Sequence, residues 1–78
     1  MITVKITDCH IMQQSMWRML EKQNNTEYVL GILINVNAPD EDHLWQEAAG
    51  LSRPMGILGK LRLFASEDDA AYYRLARM

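Results

Sequence analysis

Cys9, His10 and His43 are the side chains best suited to hold a soft metal or to attack an electrophile. A structural zinc site needs four such ligands, usually delivered in pairs such as Cys-x2-Cys. Three donors without that spacing do not build one. Asp40 stands at helical i, i+3 spacing from His43 and adds a carboxylate, yet the set stays incomplete. As a nucleophile, Cys9 would need a base and a lowered thiol pKa. His10 is its neighbour in sequence, but adjacent residues on a helix point about 100° apart. The sequence therefore predicts a packed thiol and solvated imidazoles, with no metal, no cofactor and no catalytic residue.

The carboxylates Asp40, Glu41 and Asp42, joined by Glu47, form a candidate acidic patch. No glycine-containing calcium loop surrounds them. Acids at this point suit the positive end of a helix dipole. A second use would be to imitate nucleic-acid phosphates toward a basic partner, although a net charge of −2 is small for such a mimic. The opposite patch comprises Arg53, Lys60, Arg62, Arg74 and Arg77. Within it, Gly56-Ile57-Leu58-Gly59 resembles in its Gly-x-x-Gly spacing the loop with which KH domains clamp single-stranded nucleic acid. That resemblance covers these residues alone and implies a nucleic-acid-binding accessory role as the alternative function. Charge divides along the chain, with a net of −4 over residues 1–52 and +2 over 53–78. Such a layout can orient two copies, or a partner, against one another.

The remaining chemistry is that of surfaces. Six methionines and two tryptophans are many for this length. Methionine adapts to irregular binding faces, and Trp, Tyr and Arg are the usual interface anchors. Trp17 falls beside the apolar stripe of its helix, and Tyr72 and Tyr73 cannot both face one core. Trp17, Arg18, Tyr72 and Tyr73 are therefore the candidate partner-binding residues, with Trp45 assigned to the core.

These residues need elements to carry them. The pattern is α+β, in the order β1 (2–7), α1 (9–22), β2 (27–37), α2 (40–49), β3 (57–65), α3 (67–77), forming one domain over 1–78. The centre is Tyr28–Val36, an apolar run between turn-formers that reads as a strand buried on both faces. Ile2, Val4 and Ile6 alternate with polar residues. Cys9, Met12, Met16, Met19 and Leu20 share a helical face behind an Asp8 cap. A rival pairs 16–22 with 27–36 as a hairpin across Asn24-Asn25. Leu44, Trp45, Ala48 and Ala49 form the apolar stripe of α2, with Gly50 ending it. Gly59 marks a bulge or a close backbone approach within the third strand. Ser66 and Asp69 form a capping-box variant. A parallel β1-α1-β2 unit would cross over right-handed.

A chain this short has little core to spare. One cysteine excludes an internal disulfide and suits a reducing, cytoplasmic setting. The longest apolar run, Tyr28–Val36, is far below the roughly 20 residues that span a bilayer, and no basic start followed by an apolar run marks a leader. The function expected is non-enzymatic binding to another protein, either a second copy or a partner that is inhibited or regulated. Small phage and plasmid proteins that block host enzymes have this size and style.

Overall fold

In the computed structural model, residues 2–5, 11–35 and 41–77 are described, the side chains of 11–13 excepted. They form β1 (Ile2–Lys5), α1 (Ile11–Asn24), β2 (Leu30–Leu33), α2 (Asp42–Ala49), β3 (Gly56–Leu58), β4 (Leu61–Phe64) and α3 (Glu67–Arg77). The fold is α+β, with a four-stranded sheet in the order β1-β2-β4-β3. Every pairing is antiparallel. No parallel β1-α1-β2 unit exists, and residues 16–22 are helical throughout, so the hairpin alternative is excluded.

The expected third strand is two strands. Gly59 and Lys60 form a two-residue turn that pairs Leu58 with Leu61. Gly59 has φ +59° and Lys60 does not have positive φ, the glycine-first arrangement of a II′ hairpin. Across this turn Ile57 lies opposite Arg62, so it shares a face with Arg62 and not with Leu61 and Leu63.

Strand alternation divides the core. One face carries Val4, Leu61 and Leu63, which pack with Trp17, Leu20, Tyr28 and Leu58 under α1. The other carries Leu30, Ile32 and Phe64, which pack with Ile34, Met55, Ala70 and Tyr73 under α2 and α3. Leu63 sits between two glycines in register, Gly31 on β2 and Gly56 on β3. A Cβ on Gly31 would lie 3.0 Å from Leu61 Cδ1 and 3.1 Å from the Arg62 carbonyl oxygen; on Gly56 it would lie 3.0 Å from Leu63 Cβ. At Gly31, in the middle of the apolar run, the close approach that a missing side chain allows is made by this chain's own β4.

β2 is inside the sheet, but only part of it is buried on both faces. Leu33 is 42% exposed, because α1 packs over β3 rather than over the β1–β2 side. Ile2, its register partner, is also exposed.

Helix ends follow local rules. Asn25 (φ +48°) and Gly50 (φ +67°) take the left-handed conformation after α1 and α2. After α1, Asn25 N–H donates to Lys22 O and Thr26 N–H to Glu21 O. After α2, Gly50 N–H donates to Glu47 O and Leu51 N–H to Gln46 O. Both are Schellman closures. At the start of α3, Asp69 N–H donates to Ser66 Oγ at 3.1 Å, the expected cap. The Asp69 carboxylate does not complete the capping box. It accepts instead from Ser52 N–H at 3.2 Å and from Ser52 Oγ at 2.9 Å, tying the α2–β3 connection to α3.

Candidate protein-binding surface

The face that α1 buries differs from the one its methionines suggest. Trp17 is wholly buried and donates from Nε1 to Tyr28 O at 3.3 Å. Asn24 Nδ2 donates to the Tyr28 hydroxyl at 2.7 Å, and the Glu21 carboxylate accepts from Tyr28 N–H at 2.9 Å. The Tyr28 hydroxyl in turn donates to Pro54 O at 2.8 Å. Positions 17, 21 and 24 form one stripe at helical spacing. Its hydrogen bonds fix the rotation of α1 and turn Met16 and Met19 outward, 49% and 60% exposed.

Those methionines, with Leu20 and Gln23, meet Ile57 and Leu58 of β3 in an open groove of about 150 Å³. Its lining holds no charged residue. It can receive an apolar side chain by van der Waals contact, and the unbranched methionines can rearrange around what enters.

The residues selected from sequence scatter. Trp17 and Tyr73 are both fully buried and present no surface. Each is held by a core hydrogen bond or ring contact: Tyr73 stacks obliquely on Phe64, ring centroids 5.0 Å apart, and accepts from Arg77 Nη1 at 3.2 Å. Arg18 and Tyr72 are exposed, on different helices. Trp45 is half-buried against the core, with the Arg77 guanidinium 4.9 Å from its ring centroid and 5.6 Å from that of Tyr73. In α2, Leu44 is exposed and Asp42 is the buried residue, so the expected apolar stripe is only partly inside.

The basic patch is not assembled as one surface. Arg62 is fully buried, and its Nε donates to Asp42 Oδ1 at 2.7 Å in an ion pair that also spends one charge of the acidic patch. Its Nη1 donates to Gly59 O at 2.5 Å. Arg77 is held between two rings, and Arg74 reaches Thr3 Oγ1 at 3.0 Å. Arg53 and Lys60 are left exposed near β3. The Gly-x-x-Gly segment is the hairpin itself, with Ile57 and Leu58 serving the groove. Of the acidic residues, Glu41 and Glu47 are exposed; Asp40 lies outside the described residues, as do Cys9 and His10. His43 is exposed, and among the described residues no group of three His, Cys, Asp or Glu side chains is placed to hold a metal. No helix among them is long and apolar enough to cross a membrane.

Burial pushes the Tyr28 hydroxyl pKa above its ordinary value against the opposing Asn24 hydrogen bond, and nearby Glu21 adds to the rise. Burial raises Tyr73 likewise, opposed chiefly by the Arg77 charge. Both tyrosines are structural groups.

The methionine groove escaped sequence reasoning because hydrophobicity placed Met16 and Met19 inward. The available signal was Trp17 four residues before Glu21 and seven before Asn24, a polar-tipped stripe able to clasp the chain that follows the helix. Compared with protein-family models, curated proteins and solved structures, the chain matches none significantly.

Proposed function

We propose that this chain acts by binding another protein through the groove between α1 and β3, without chemistry of its own. The observation that carries the reading is the pair Met16 and Met19, kept outward by the Trp17–Tyr28 clasp beside Ile57 and Leu58. Exposed methionines on an already formed helix offer a partner apolar contact at small cost in backbone ordering. Occupying or blocking a surface of that partner is the simplest outcome, so an inhibitory or regulatory role fits. A reducing compartment such as the cytoplasm suits the lone cysteine.

Capture of a partner from host extract by the wild-type chain, compared with Met19→Lys and Met16→Lys/Met19→Lys, tests the reading. Binding is expected to fall at least about tenfold, with the unfolding free energy changed by no more than the roughly 0.5 kcal/mol usual for surface changes. A partner held equally by all three proteins would sink it. No observation favours nucleic acid, since Arg62 and Arg77 are engaged within the fold.

A further inference from the structure

The methionine groove opens along an edge of the sheet, and the backbone at that edge has a defined register. Among the described residues β3 has one strand neighbour, β4. Ile34 N–H donates to Lys60 O, and Ile32 stands opposite Arg62. Hydrogen-bonded and non-hydrogen-bonded pairs alternate along antiparallel strands, so positions 60 and 62 turn their backbone groups toward β2. Ile57, opposite Arg62, therefore sits in a non-hydrogen-bonded pair and turns its own N–H and C=O outward. Among the described residues neither group has a partner. The positions on either side are closed, Met55 N–H by Gln46 Oε1 at 2.7 Å and Gly59 O by Arg62 Nη1. Ile57 and Leu58 project to opposite faces of the strand, yet both line the groove with Met16, Met19, Leu20 and Gln23. The cavity thus reaches round the edge itself.

We propose that an extended segment of another protein, aliphatic at its centre and acidic on both flanks, adds antiparallel to the outer edge of β3. This rests on the reading of the groove as a protein-binding site and specifies how it is filled. One residue of the segment exchanges two hydrogen bonds with Ile57, which gives the contact its main-chain part. The residues next to that one turn to the α1 face, and an aliphatic side chain there enters the groove between Met16, Met19 and Leu58. The charge of the segment follows from the ends of β3. Arg53 and Lys60 are exposed on either side of the strand, and among the described residues neither has an ion pair. Acids beyond both ends of the added strand meet those cations. The same cations argue against a second copy, because antiparallel self-pairing centred on Ile57 would bring Arg53 of one copy beside Lys60 of the other. A helical occupant could fill the groove but would leave the Ile57 N–H and C=O without partners.

A display library of random peptides about 10 residues long, enough for one strand and its flanks, is selected on the full chain. Enriched peptides should carry aliphatic residues between acids, and their hold should weaken as salt screens the flanking pairs. Ile57→Pro removes the outward N–H at a position where an edge strand admits proline. It should weaken binding of an enriched peptide about tenfold or more. Ile57→Ala, which trims the side chain and keeps the N–H, should cost less. Arg53→Glu/Lys60→Glu, a change of exposed residues alone, should also cost about tenfold and turn the selection toward basic flanks. Near-ultraviolet circular dichroism shows which variants keep the wild-type fold, and the charge reversal carries the test if Ile57→Pro does not. The proposal is overturned by an absence of enrichment, by peptides without acidic flanks, or by full binding to Arg53→Glu/Lys60→Glu or to a folded Ile57→Pro. If such peptides still lose their hold in Met19→Lys, the groove stands as the binding site and only the strand addition falls. If Met19→Lys holds them as well as the wild type does, the groove reading falls too.

Discussion

Arg62 is a cation with no water to sit in, and Asp42 is what makes that tolerable. Removing one member leaves the other charged and dry. Arg62→Met is expected to cost about 3–5 kcal/mol in urea unfolding, and Asp42→Ala a similar amount. The double variant Asp42→Leu/Arg62→Met should recover much of that loss, since apolar replacement of a whole buried pair is often near neutral. Gly31→Ala is a second sharp case. Its new methyl would press on Leu61 and on the Arg62 carbonyl, a backbone atom that cannot swing away, at an expected cost of about 1–3 kcal/mol. Tyr28 and Tyr73 predict an alkaline limit. Unfolded tyrosine ionises near 10, and both native hydroxyls are held above that value. Their contribution to stability is therefore whole below about pH 10 and lost as pH rises through the native values. Ultraviolet absorbance of tyrosinate should rise together with loss of near-ultraviolet circular dichroism, and Tyr73→Phe should flatten that dependence. In the sequence, Arg62 counted as surface because charge is the commonest mark of surface. The sign of its burial was Phe64, two residues on and necessarily on the same face of the strand.

At the scale of elements, caps were legible because they are local. Gly50 ends α2 in the left-handed conformation with open space around its Cα, so Gly50→Ala should cost about 1 kcal/mol from backbone strain alone. Ser66→Ala should cost about 1 kcal/mol through the lost cap. Asp69→Ala should cost more, because the Asp69 carboxylate also holds both donors of Ser52. Thermal or urea unfolding of the three variants ranks them directly. Helix α3 begins and ends where its acids, its Ser66 cap and its arginines predict. The β3–β4 hairpin was missed because Gly59-Lys60 interrupts a continuous apolar pattern by only two residues. A glycine at the first position of so short a break was the signal. The rotation of α1 was misread for a different reason: apolar periodicity fixes a face only when nothing polar competes. Here three hydrogen bonds to Tyr28 outweighed the burial of two methionines.

For the whole molecule, the sequence supplied the class, three helices and a central apolar strand; sheet order was beyond it. Pairing order depends on which edges find cover, and no periodicity records that. The order β1-β2-β4-β3 sets the Met16–Met19 groove beside an edge strand, β3. Trp17, Glu21 and Asn24 all direct their hydrogen bonds to Tyr28, so a single residue outside α1 sets how far that helix is turned. Tyr28 is in turn bonded to Pro54 O, ahead of β3, so the aim of the methionines is tied to the integrity of the sheet. A change that frees Tyr28 would loosen the binding face and the fold together.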